Sequence, residues 1–334
     1  MSDQNQRNKA TALTLWSALD RDPVSAVALL PALTGWHGPA PIGLQHGADA
    51  IVERLFASLR AAIPDLRRQT HIFMGGTSFA HEDGSADGAH WVAGTGYYTG
   101  RAIREVFGIP ATDCDLRIRW GEFLRFDEAG QITYAQTIWD FVDWFGQIGL
   151  PTLPPPRGAA HVYPAPTAYD GVLTAVQLEV ESEKTVAFGR DFIFGGLNKF
   201  DEIDLCSMGM ARFFHPNVKW YGPGGIGACL SLAEFETLHQ QPWLTAFPDR
   251  KVMHLESLFA EDRLLAASGP RGVVGTHGGA YLGHAATGAP IEVSGLDFWL
   301  KTDGQFTENW VFVDMIHLFQ QMGVDLFARM QEIA

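Results

Sequence analysis

Asp314 stands in the run Trp310-Val-Phe-Val-Asp314-Met-Ile316. A carboxyl among such neighbours is either buried against a cavity or set at a strand end. Burial disfavours the charged form and lifts the pKa toward neutrality, which suits a general acid or base. The other role open to it is structural, bonding backbone or capping the segment that follows. His277 lies between Thr276 and a pair of glycines. It is placed either to hydrogen bond a substrate oxygen on a pocket wall or to sit in a turn. Asp297, in Gly295-Leu-Asp297-Phe-Trp299, is strand-borne. It reaches a pocket or, more simply, faces outward. Trp220, Tyr221, Trp299 and Trp310 offer flat faces for a ring-shaped ligand, or else core packing.

Other chemistries find little support. The 12 histidines form no HxH or HExxH pattern, and His81-Glu82-Asp83 lies in a polar, Gly-rich stretch, so no metal site is expected. No G-x-S-x-G nucleophile motif occurs. Gly222-Pro-Gly224-Gly-Ile-Gly227 has the G-x-G-x-x-G spacing, but no βαβ unit follows it. Its counterpart near the start of the chain, Gly38-Pro-Ala40-Pro-Ile-Gly43, lacks the middle glycine.

The elements that must position these residues come in two sets. Trp36-His-Gly-Pro-Ala-Pro-Ile-Gly43 and Trp220-Tyr-Gly-Pro-Gly-Gly-Ile-Gly227 share five of eight positions at an offset of 184 residues. Ile63-Pro64-Asp65 and Phe247-Pro248-Asp249 keep that offset. Further on, Gly130-Gln131 matches Gly304-Gln305, and Asp140 matches Asp314, at an offset of 174. The first copy therefore carries about ten extra residues, and the polar run Ser78–Ala89 is the expected insertion. A duplication of this length predicts two domains: 1–150, a proline-rich linker at 151–171, and 172–334. The linker's prolines exclude regular helix or central strand. Its Val162, Tyr163 and Tyr169 are apolar enough to dock on a domain surface.

Bulk properties agree with a globular protein: 334 residues, 46% hydrophobic, 19% charged and a net charge of −14. That charge argues against nucleic acid and anionic membrane surfaces. Neither a signal peptide nor an 18-residue apolar run is apparent, and three scattered cysteines suggest a reducing compartment, so a cytoplasmic location is expected.

In the second copy the pattern predicts a helical stretch over 189–214, a short strand at 217–221, a turn at 222–227 and a helix over 231–247 capped by Ser231. Strands follow over 251–259, 263–267, 272–276, 291–300 and 305–316, with Asp303-Gly304 as a hairpin turn. Helices followed by antiparallel strands imply an α+β fold: two tandem cone-shaped barrels, each a curved antiparallel sheet wrapped around helices with a one-ended apolar pocket.

Gly275-Thr-His-Gly-Gly-Ala-Tyr-Leu-Gly283, Thr287-Gly288, Gly295-Leu-Asp-Phe-Trp299, Asp303-Gly-Gln305 and Glu308-Asn-Trp-Val-Phe-Val-Asp314 form one ordered set. It resembles the SnoaL-like polyketide cyclases of the nuclear transport factor two-like superfamily. The first copy matches more loosely, with Gly96 standing for His277 and Gln136 for Trp310. The resemblance implies a conical cavity and a metal- and cofactor-free intramolecular aldol closure or isomerisation of a hydrophobic, polyketide-like carbonyl compound. It assigns the acid–base role to Asp314 and, in the first copy, to Asp140; His277 is a further catalytic candidate from its own surroundings. Trp36, Trp220, Tyr221, Asp297, Trp299 and Trp310 are then candidates for substrate contact. It also implies an internal pseudo-dimer, with further homodimerisation open. A non-catalytic protein that binds a small molecule in the same pocket is the alternative.

Overall fold

The computed structural model describes residues 3–112, 114–160, 162–201 and 204–334. The first copy opens on the helix Asp3–Arg21 and contributes β1 (Gly35–His37), β2 (Leu44–Gln45), β3 (Arg67–Thr77), β4 (His90–Arg101), β5 (Asp115–Phe126) and β6 (Ile132–Trp139). The second opens on the helix Glu179–Gly195. It contributes β7 (Phe214–Tyr221), β8 (Ala228–Cys229), β9 (Lys251–His254), β10 (Ser257–Glu261), β11 (Leu264–Thr276), β12 (Pro290–Thr302) and β13 (Gln305–Val313). The sheet orders are β2-β1-β6-β5-β4-β3 and β10-β11-β12-β13-β7-β8, with β9 also paired to β11. The chain is thus a tandem pair of α+β units with the same strand order.

The sheets are mixed, not wholly antiparallel. β1 runs parallel to β6, and β7 parallel to β13. Tight turns impose antiparallel pairing only on strands that follow one another, and β1 meets β6 after a long excursion. Residues 78–89 join β3 to β4, whereas Asp262 and Arg263 alone join β10 to β11. That difference accounts for the change of offset between the copies.

The helix of the second copy begins ten residues before the expected 189. Glu179 and Glu181 complement the positive end of its dipole, and Gly195-Gly196 ends it. Short 3-10 turns at Leu197–Lys199 and Leu205–Met208 and a four-residue α-helix at Met210–Phe213 make up the rest of the expected helical stretch; Ile203 lies outside the described residues. Ser231 caps its helix as expected, accepting from the amide of Glu234. β13 stops at Val313, short of the expected 316, because the Asp314 side chain accepts the amide of His317 and starts the helix Met315–Gln321.

Alternation along the strands gives each sheet two faces. One face of β12 and β13 presents Leu296, Phe298, Leu300, Trp310 and Phe312 to the other copy, where they join Ile72, Met74, Trp91 and Phe123 in one buried cluster. Phe123 meets Phe298 at 5.2 Å and Phe259 at 6.0 Å between ring centroids. The two sheets therefore pack back to back, and each keeps its other face for its own helices. Lys9 crosses the seam to Glu261 at 2.6 Å, and Glu261 also accepts the amide of Gly75 at 2.7 Å.

The proline-rich segment follows this seam. Ala159 and Ala228 exchange two backbone hydrogen bonds of 2.8 Å. Tyr163 lies 5.1 Å from Tyr221 and under the Arg119 guanidinium, 4.6 Å away. Glu308 accepts the Thr167 amide at 3.0 Å. Among the described residues no helix is long and apolar enough to cross a membrane.

Candidate functional site

The helix-facing side of the second sheet encloses a cavity of about 180 Å³. Its walls come from β12 (Gly295, Asp297, Trp299), β13 (Asn309, Val311, Val313), β7 (Trp220), the helix Glu179–Gly195 (Phe192, Ile193) and the π-helical turn Phe235–Gln240 (Phe235, His239, Gln240). The lining is mostly apolar, with a few convergent polar groups, as in small-molecule sites.

Asp297 is the carboxylate in that wall. It is half-buried, its open side being the cavity. Desolvation pushes its pKa up to about 7, against the hydrogen bond from the Asn309 amide and the charge of Arg119. Asn309 is held in turn by its bond to the Phe298 carbonyl, 2.9 Å. His239 stacks on Trp220 with centroids 4.0 Å apart. Burial, aided by Arg250, depresses its pKa to about 3, so it is neutral at physiological pH. A carboxyl that titrates near neutrality in a dry pocket can both accept and return a proton.

The other expected residues divide by strand face. Trp220 and Trp299 line the cavity with Asp297. Tyr221 and Trp310 belong to the face that meets the other copy, and the Trp310 indole donates to the Pro164 carbonyl at 3.0 Å. His277 is buried beyond the end of β11, with Nδ1 on Thr287 Oγ1 at 3.0 Å and its ring against Phe247. Gly96 is not its counterpart. Gly96 pairs with Trp120 in the middle of β4, and an irregularity between Gly269 and Val273 shifts the register before His277 is reached.

Asp314 and Asp140 lie at the copy–copy seam, not on the cavity wall. Asp314 Oδ1 accepts from His317 and Oδ2 from the amide of Ala40 at 2.8 Å. Asp140 Oδ1 accepts from Asp143 and Oδ2 from the amide of Gly224 at 2.8 Å. Both carboxyls have helix-capping and cross-copy partners.

Trp36 occupies the place of Trp220 in the first copy, where its indole donates to Thr137 Oγ1 at 2.9 Å. Thr137 donates to Glu122 Oε2 at 3.0 Å, and the indole of Trp16 donates to Glu122 Oε1. Glu122 is the counterpart of Asp297. It pairs across the sheet with Thr137 as Asp297 pairs with Val311, and Thr137 and Val311 keep the 174-residue offset. Burial raises the pKa of Glu122 too. A single offset misses this pair because the turn joining the paired strands is one residue longer in the first copy, with five residues between Phe126 and Ile132 against four between Lys301 and Phe306, so the offset sets Glu122 beside Leu296.

The family match falls on the copy that holds the cavity. Residues 204–322 match the family model for SnoaL-like polyketide cyclases. No curated protein matches the chain. Solved structures similar to it include AclR from Streptomyces galilaeus, at 22% identity over 42% of this chain and 82% of that one, TM-score 0.35. A candidate SnoaL-like polyketide cyclase from Jannaschia sp. CCS1 has 14% identity over 45% and 99%, TM-score 0.38. IdmH from Streptomyces antibioticus, a candidate polyketide cyclase, has 20% identity over 43% and 99%, TM-score 0.32. Residues 204–322, within the second copy, are thus similar to the SnoaL-like polyketide cyclase family.

Proposed function

We propose that the second copy binds a hydrophobic, polyketide-like carbonyl compound in its cavity, and that Asp297 moves a proton at the carbon beside the carbonyl. The observation that carries this is a single carboxyl, titrating at about 7, in an apolar cavity. Ionised Asp297 takes the α-proton, and the resulting enolate attacks a second carbonyl of the same molecule or is reprotonated elsewhere. The first outcome is an aldol cyclisation and the second an isomerisation. Asn309 holds the carboxyl in place, and Trp220 and Trp299 present ring faces to the substrate. This chemistry calls for neither metal nor cofactor. Asp314, Asp140 and His277, the expected acid–base set, take structural places in this proposal. The three free cysteines fit a reducing, cytoplasmic setting.

The test uses 2-acetonaphthone in D₂O, with deuterium incorporation at its methyl group followed by NMR. The wild type should accelerate exchange, and Asp297→Asn should lower the enzymatic rate about 10²–10⁴-fold while still binding the ketone. Binding without acceleration in the wild type would favour a non-catalytic binding protein.

A further inference from the structure

A second cleft opens at the seam, outside the cavity of the second copy. It has a volume of about 380 Å³ and lies between the helix Phe141–Gln147, the proline-rich segment and the turn Gly222–Gly227. Tyr97 of β4 and Asp143 of that helix face it from the first copy, and Pro151, Pro154 and Val162 supply an apolar wall. Pro223 lines both this cleft and the cavity, so the turn is the partition between them.

The carboxyl of Asp143 is held at one oxygen. Oδ2 accepts from Gln147 at 2.7 Å, and Oδ1 has no partner among the described residues. Burial and the neighbouring Asp140 push its pKa up to about 6, against the Gln147 hydrogen bond and the charges of Arg119 and Arg117. Arg119 is engaged elsewhere: it lies 3.9 Å from Asp140 and donates to the Gly222 and Tyr221 carbonyls. Arg117 is exposed, where solvent screens its charge. The Tyr97 hydroxyl oxygen accepts the Tyr163 amide at 2.8 Å. Thr152, another wall residue, is 2% exposed, and its Oγ1 has no partner among the described residues. Buried hydroxyls in native proteins are nearly always bonded, so this orphan points to a partner from outside the chain.

The equivalent place in the second copy shows that the fold does not need an acid at 143. Gln147 accepts the Arg117 amide at 2.9 Å and donates to its carbonyl at 2.8 Å. Gln321 does the same to Glu292, at 2.8 Å in both directions. At the 174-residue offset His317 stands for Asp143, and its amide meets Asp314 as the Asp143 amide meets Asp140. The helix cap is the same with either residue, which leaves the Asp143 carboxyl open to another role.

We infer that this cleft binds a small primary amine with an apolar body, its ammonium on Asp143 Oδ1 and its body against Pro151, Pro154 and Val162. A cation in that position offsets the repulsion between Asp143 and Asp140. The inference is independent of the chemistry assigned to Asp297.

Calorimetry on the full chain tests it with phenethylamine and 2-phenylethanol, which keeps the shape and lacks the charge. At about pH 7.5 the amine should bind about tenfold more tightly or better, the worth of a charge-assisted hydrogen bond. At about pH 5 Asp143 is protonated, so the amine should weaken about tenfold while the alcohol does not change. Asp143→Asn keeps an oxygen for Gln147 and should abolish both the preference and its pH dependence. Asp297→Asn should keep both, because the cavity of the second copy is a separate place. If Asp143→Asn does not fold, Val162→Trp, which crowds the cleft from its exposed rim, takes its place and should abolish amine binding. Equal affinities for amine and alcohol in the wild type, or no binding of the amine, would overturn the inference. So would a preference that survives in the cleft variant or disappears in Asp297→Asn, or tighter binding of the anion 3-phenylpropionate. Amine binding without ketone exchange would sink the catalytic proposal and leave this one standing.

Discussion

Asp314 Oδ2 accepts the backbone amide of Ala40 at 2.8 Å, and Asp140 Oδ2 accepts that of Gly224 at the same distance. Ala40 and Gly224 are repeat mates, as are Asp140 and Asp314. Each carboxyl thus caps the helix after its own copy's last strand with one oxygen and grips the other copy's turn with the second. This is the reciprocal pattern of a two-fold dimer, written into one chain.

Asp314→Asn should test that double duty. An amide keeps one acceptor and turns the other atom into a donor, so it can serve His317 or Ala40 but not both. The expected loss is about 1–3 kcal/mol, the usual cost of a buried group left unpaired. It should appear as a lower urea midpoint with an unchanged slope. Affinity for 2-acetonaphthone should not change, because Asp314 is not part of the cavity wall.

Asp297→Asn should have the opposite effect on stability. The carboxyl has an ordinary value of 3.8 and a folded value of about 7, so the folded state binds more protons between those limits. Stability from this group is fully present below about pH 4 and is lost as pH rises toward 7. The Asn variant has no such loss. Its melting temperature should equal the wild type's near pH 4, exceed it increasingly up to pH 7, and keep a constant lead above that. A constant difference across the range would show that Asp297 is not desolvated.

Val311→Thr should supply in the second copy the hydroxyl that Thr137 supplies in the first. A donor to the ionised carboxyl lowers its pKa. The pH midpoint of ketone exchange should shift below that of the wild type. An unmoved midpoint would place the hydroxyl out of reach of Asp297.

Limited proteolysis should cut first at residues 81–86, which are exposed between β3 and β4. The proline-rich segment should resist longer, because its backbone is bonded to Ala228, Glu308 and Phe73. Mass mapping of the first fragments decides between the two. An initial cut within 151–171 would show that the segment is not docked.

The duplication, the α+β class and the loop insertion were legible in the sequence because Trp, Pro, Gly and Asp mark turns and caps at fixed offsets. A strand end is one of the two places the sequence allows Asp314, although the strand is expected to run on to 316. Of its apolar neighbours, Trp310 and Phe312 join the seam between copies while Val311 and Val313 line the cavity, and apolar flanks look alike beside a cavity or an interface. The site itself was harder to find. The pair Glu122 and Asp297 is aligned by hydrogen-bond register, and a one-residue difference in the turn after their strands takes them out of the common offset. The turn Gly222–Gly227 shows the same limit. Ala40 made its mate Gly224 look dispensable, but a Cβ on Gly224 would lie 2.4 Å from the Asp143 amide.

The central claim is that proton transfer belongs to Asp297 and not to Asp314. The most direct measurement is the rate of deuterium incorporation into 2-acetonaphthone with folded Asp297→Asn and folded Asp314→Asn assayed side by side. Asp297→Asn should lose about 10²–10⁴-fold while Asp314→Asn stays within about twofold of the wild type. The reverse ranking, a full-rate Asp297→Asn beside an inactive but folded Asp314→Asn, would contradict the account.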